Sequence, residues 1–211
     1  MKTTITISRQ LGSGGSYIGQ LLAKRLQFKY VDREVLRLAA QEFGCKEEEV
    51  EARRERISSF WSRMLNSLTS GGPDGPYNPP PLQDFSDQEL FAKQTEILKR
   101  IADRYDCVLI GWPGVGVLPR HPRLFSIFCH APLSFRIRRA LELGYAQTAE
   151  AACQTILNSD AMRQKYFLTM TGHEWSCAAN FHLTLDTSVL PLNDLAELII
   201  ELLERKGLLN A

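Results

Sequence analysis

Two hydrophobic periods alternate along the chain. Short apolar or β-branched runs occur at Thr4-Ile5-Thr6-Ile7, "FKYV" (28–31, leading to Asp32), "CVLI" (107–110), "LFSIFC" (124–129) and "FHLTLD" (181–186). Between them, residues recur at helical spacing. Ile18, Leu21, Leu22 and Leu26 share one face of a helix over 16–26. Leu90, Gln94, Ile97, Leu98 and Ile101 do the same over 90–104, and Leu133, Ile137 and Leu141 mark a third helix. A last helix is expected from about Leu192 to Lys206, with Gly207 placed for a left-handed cap. Five buried-looking strands separated by helices predict an α/β fold with a parallel sheet covered on both faces.

Ligands of such sheets bind at the carboxyl ends of the strands. Ser8 to Ser16, Asp32, Gly111 to Gly114, and Asp186-Thr187 all fall at those ends, so one common site is expected. The middle of the chain breaks the pattern. Residues 45–63 are charged and helix-prone, and "SGGPDGPYNPPPL" (70–82) is too rich in Gly and Pro for regular structure. Residues 45–90 are therefore expected to form a helical insert with a loop, within one domain spanning 1–211.

Composition narrows this picture only a little. With 211 residues, 44% hydrophobic and 23% charged, the chain suits one substantial globular domain. A net charge of +1 gives no bulk field for nucleic acid or a membrane surface, and neither is expected as a partner. Of the 25 Lys and Arg residues, 17 are arginine, the bidentate binder of phosphate and carboxylate. The five cysteines include no C-x-x-C pair, so neither a disulfide framework nor a zinc site is expected. No signal-peptide core and no membrane-length apolar run occur, and a cytoplasmic protein is expected.

The candidate chemistry centres on "SRQLGSGGSY" (8–17), between the first strand and the first helix. Glycines let a backbone approach an anion closely, and helix-terminal N–H groups converge on it. The usual phosphate loop, G-x-x-x-x-G-K-[ST], also carries a lysine for the terminal phosphates and a hydroxyl for Mg2+. In that alignment its first Gly is Arg9 here, its second is Gly14, its lysine is Gly15 and its hydroxyl is Ser16. Arg9, six residues before Gly15, can supply the missing cation. A plain strand-to-helix turn remains the alternative for the loop taken alone.

"TITISRQLGSGGSYIGQLLAKRLQFKYVDREVL" closely resembles the start of the cytidylate kinase-like family, a branch of the P-loop nucleoside monophosphate kinases. The resemblance continues through "ELFAKQTEILKRIADRYDCVLIG", "HAPLSFRIRRALE", "SDAMRQKY" and "FHLTLDTSVLPLNDLAELI". It implies a P-loop kinase three-layer sandwich with a five-stranded parallel sheet, a helical monophosphate-binding insert and a lid at about 136–166. It also implies ATP and Mg2+ as cofactors and a small-molecule acceptor. Gly12, Ser13, Gly14, Gly15 and Ser16 would hold the nucleotide, with Asp186 and Thr187 beside the base and Ser16 on the metal. Arg9, Arg139 and Arg163 would be catalytic. Asp32, Arg33, Arg37 and Trp112 would face the acceptor, with a helix N-cap as the competing reading of Asp32 at its strand end. Asp160 and Arg163 are one turn apart, so a local surface ion pair is the competing reading of that pair. Trp112 stands where the family branch carries an arginine, and the loop lysine and an acidic residue at the end of the third strand are absent as well, so a non-catalytic nucleotide-binding sensor or partner-binding protein is the alternative function.

Overall fold

Parallel strands buried on both faces need apolar or β-branched residues at consecutive positions, and the three central runs supply them, while the two edge runs are only partly buried. β1 (Thr4–Arg9), β2 (Lys29–Asp32), β3 (Cys107–Ile110), β4 (Leu124–His130) and β5 (Leu183–Asp186) form one sheet in a computed structural model of the protein. The structure describes residues 2–32, 87–111, 118 and 121–209. The sheet order is β2-β3-β1-β4-β5, and every pairing is parallel. Five helices are described with them: α1 (Gly15–Leu26), α2 (Asp87–Arg104), α3 (Leu133–Glu142), α4 (Ala149–Thr171) and α5 (Leu192–Arg205).

β3 shows how the two faces are filled. Val108 and Ile110 pack with Ile18 and Leu22 of α1 and Leu195 and Ile199 of α5. Cys107 and Leu109 turn the other way, onto Leu98 and Ala102 of α2. Each fully buried Leu or Ile contributes roughly 1.5–3 kcal/mol, so a strand covered on both sides gains from every residue. That makes the expected three-layer sandwich the observed one.

α3 and α4 form a separate packing unit. Their Ala140, Ala152 and Ile156 close around Leu11, which comes from the segment after β1. The segment expected as a lid is thus anchored to that loop by an apolar side chain. The far end of α4 supplies Phe167, which joins Phe128, Trp175 and Phe181.

Some boundaries differ from expectation. β1 continues past Ile7 to Arg9 because its pairing with β4 persists through Ser8 opposite Phe128 and Arg9 opposite Cys129. β5 starts at Leu183 rather than Phe181, because a 3-10 turn over Ala178–Asn180 delivers Phe181 onto Phe128 instead. α4 runs for 23 residues, where spacing marks only Asp160 and Arg163 as one turn apart. Its buried residues (Ala152, Ile156, Ser159 and Phe167) are few and chemically mixed, which hides the helical period. Gly207 has φ +66°, the left-handed cap expected after the last helix. Residues 45–86 of the expected insert lie outside the described residues, as do Arg33, Arg37 and Trp112.

Candidate active site

The sheet order reverses around β1: the chain moves to β2 on one side and later to β4 and β5 on the other. Ligand sites of open α/β sheets form at such a reversal, beyond the carboxyl ends of the strands. The end of β1 is Arg9, and the loop to α1 follows at once. Gln10 O accepts both Ser13 N (3.3 Å) and Ser13 Oγ (2.8 Å), closing the loop on itself. Gly14 begins α1 with φ +82°, in the left-handed region that excludes most side chains. It offers no side-chain cap, and the first turn of α1 holds no acidic residue. The positive end of the helix thus meets no carboxylate from its own first turn.

Neighbouring strands fix the loop. Thr187, just past β5, donates its hydroxyl to Ser13 O (2.5 Å) and to His130 O (3.0 Å). One proton shared by two carbonyls ties β4, β5 and the loop together. Asp186 faces its own turn: Oδ1 accepts Ser188 Oγ (2.7 Å) and Ser188 N (2.9 Å). The Ser188 hydroxyl and then its amide hold the Asp186 carboxyl below the usual carboxylate range.

Arg9 joins three parts of the site. Its Nε donates to Ser16 Oγ at 3.0 Å, and Nη2 stands 3.8 Å from Asp32 Oδ2 at the end of β2. Its carbonyl accepts Arg163 Nη1 at 2.9 Å, which brings α4 onto the loop. A Cβ on Gly15 would lie 2.6 Å from Arg9 Cβ and 2.9 Å from Cys129 Cβ. The side chain of Arg9 thus fills the room into which a side chain at position 15 would grow.

A second ionic tie was not legible in the sequence. Asp160 Oδ1 accepts Leu11 N at 3.0 Å, while Oδ2 meets Arg136 Nη1 at 2.5 Å. Arg136 also reaches Leu11 O at 3.5 Å, with its side chain only 7% exposed. The local surface-pair reading of Asp160 misses this partner 24 positions away on α3. No spacing rule could have found it, because the contact exists only once α3 and α4 are packed side by side.

The structure brings together Arg9, the loop from Gly12 to Ser16, Asp32, Arg163 and Thr187. Asp186 sits beside them. Arg139 lies half-buried on α3, one turn beyond Arg136. Gln10 and Leu11 are the additions, while Arg136 and Asp160 gain partners that their spacing does not show.

Ser16 was the expected ligand for Mg2+. Its residue has no exposed surface, and its hydroxyl already accepts Arg9 Nε. The Asp32 carboxylate faces the same guanidinium. Among the described residues, no three His, Cys, Asp or Glu side chains cluster as a metal site. As folded, the donors around Ser16 are arranged about a guanidinium and do not fit a divalent ion held by the protein.

Fold and loop define an α/β protein of the P-loop kinase type. A profile of the cytidylate kinase-like family matches residues 4–189, and the chain belongs to that family. No curated protein matches it in sequence. Among solved structures, an uncharacterized protein from Eubacterium ventriosum aligns at TM-score 0.69 and 15% identity, over 96% of this chain and 99% of the other. A sugar kinase from a Janibacter species aligns at TM-score 0.54 and 12% identity over 100% of both chains. A gluconokinase from Sinorhizobium meliloti aligns at 0.50 and 16%, over 96% of this chain and 92% of the other. At these identities the likeness is one of fold.

Proposed function

We propose that this kinase-type protein transfers the γ-phosphoryl group of ATP to a small acceptor, of which a nucleoside monophosphate is the first candidate. The observation that carries the reading is the convergence of Arg9, Ser16, Asp32 and Arg163 on one glycine-rich loop at the reversal of the sheet. Phosphoryl transfer asks a protein for positioning and charge neutralisation more than for covalent chemistry. The amides of 12–16 would cradle the phosphates, and Thr187 would hold that cradle against β5, with Asp186 beside the base. Arg9 would take the lysine's part against the charge that develops on the transferring group. Arg163, already resting on the Arg9 carbonyl, and Arg139 would complete the cationic shell from the α3–α4 segment. Asp32, with Arg33, Arg37 and Trp112, would meet the acceptor.

In the transfer step an acceptor oxygen bonds to the γ-phosphorus while the bond from that phosphorus to the β–γ bridging oxygen breaks, releasing ADP. The cytoplasm, where ATP is plentiful, suits the free thiols of Cys107, Cys129, Cys153 and Cys177. No described helix is long and apolar enough to cross a membrane. The test is ADP release across a panel of nucleoside monophosphates and small hydroxyl acceptors. One acceptor should stimulate release, and Arg163→Ala should lower kcat about 100-fold or more, as for lost transition-state donors elsewhere.

Gly15 at the lysine position gives the non-catalytic reading its footing. That reading expects ATP binding with no acceptor-dependent ADP release anywhere in the panel.

A further inference from the structure

Arg9 lies between a hydroxyl and a carboxylate, and these are the two kinds of oxygen through which a phosphate site holds a divalent ion. Nε is bonded to Ser16 Oγ at 3.0 Å, and Nη2 is 3.8 Å from Asp32 Oδ2. The Arg9 side chain is 14% exposed, and Ser16 beneath it is fully covered. We propose that the Arg9 guanidinium is a built-in counter-cation for bound phosphate, standing where a metal ion would stand, so that a nucleoside triphosphate binds this loop without a divalent ion. The inference rests on the nucleotide-binding reading above and adds to it the ionic form of the ligand.

Three physical points carry it. A guanidinium keeps its charge at every accessible pH and is weakly hydrated, so it serves in a covered site at less cost than a hydrated ion. It is also preorganised: Ser16 and Asp32 fix its orientation, and Gly15 gives it room because no side chain grows there. A divalent ion on Ser16 Oγ would have to take the one lone pair that the Arg9 bond leaves, and would then sit beside a like charge.

Calorimetric titration with ATP, in EDTA and separately in excess Mg2+, tests the proposal on the full chain. The wild type should bind ATP in EDTA within about threefold of its affinity in Mg2+, since the charge-assisted contact is already present. Arg9→Ala should lose about tenfold or more in EDTA, and should recover part of that loss in Mg2+ because the Ser16 hydroxyl is uncovered. Should Arg9→Ala fail to fold, Arg9→Lys serves. A lysine keeps the charge but cannot span Ser16 and Asp32 together, so its binding should be weaker in EDTA and gain more from Mg2+ than the wild type's. Wild-type binding that appears only with Mg2+ would overturn the proposal while leaving the nucleotide-binding reading intact. An Arg9→Ala variant with the wild-type ratio of the two affinities would overturn it equally. No ATP binding in either condition would overturn both readings.

Discussion

Arg9 and Gly15 occupy one another's space: a Cβ on Gly15 would stand 2.6 Å from the Cβ of Arg9. In the lysine-bearing loop the first of these positions is glycine and the second is lysine. Here the small and the long cationic residue have changed places. Gly15→Lys should therefore not repair the loop. It should destabilise the protein by about 1–3 kcal/mol, the usual cost of overpacking. Arg9→Ala should give little relief, because alanine keeps the offending Cβ. The double variant Arg9→Gly with Gly15→Lys should recover most of the loss, with only the 2.9 Å approach to Cys129 left to relax. A urea-denaturation double-mutant cycle reads the coupling directly. Additive losses would show that the two positions do not compete.

Asp160 should prove worth far more than its place on a partly exposed helix implies. It neutralises Arg136 and accepts the Leu11 amide, and the Arg136 Nε is already without a hydrogen-bond partner among the described residues. Asp160→Ala would strand a covered charge, at a cost of about 3 kcal/mol or more. The exposed Arg205–Glu201 pair, four residues apart on α5, supplies the control. Glu201→Ala should cost no more than about 0.5 kcal/mol. Equal denaturation midpoints for the two variants would refute a tie between α4 and the loop.

Cys107, the first residue of β3, offers a probe of opening of the sheet. It is fully covered, and its burial pushes the thiol up to about 12. Since the thiolate is the reactive form, Cys107 should stay unmodified by iodoacetamide at about pH 9, where Cys153 and Cys177, which are only partly covered, are alkylated. Peptide mapping of the labelled protein decides the point, and labelling of Cys107 should appear only with urea.

His182 should make the folded state sensitive to acid. Its Nδ1 is 3.0 Å from the amide nitrogen of Ser126, whose N–H it accepts, and 2.8 Å from Ser126 Oγ. Burial first, and the Lys206 ammonium second, lower its pKa from the ordinary value of 6.5. The unfolded chain therefore takes up the proton before the folded one does. The contribution to stability is complete above about pH 6.5 and falls as the pH drops through that value toward the lower folded one. Urea midpoints at about pH 7.5 and about pH 5 should differ by less in His182→Gln than in the wild type. An unchanged difference would remove His182 from the account.

The sequence by itself determined the sheet and the loop. Runs such as "CVLI" are apolar at every position because both faces of β3 are covered, and that signal needs no partner to be seen. Gly12 and Gly14 mark a tight turn for an equally local reason, since positive φ excludes most other residues at those points. Tertiary structure decided how the loop is charged and held. The exchange between Arg9 and Gly15 is visible as two departures from a motif, but its meaning lies in a steric contact between a strand end and a helix start. Leu11 and Asp160 are 149 positions apart, and Arg136 and Asp160 are 24 apart on different helices. Periodicity reports which face of an element is buried; it carries no record of which distant side chain arrives there. That choice was made when α3 and α4 closed over Leu11, and with it came the ionic tie that holds the glycine-rich loop in place.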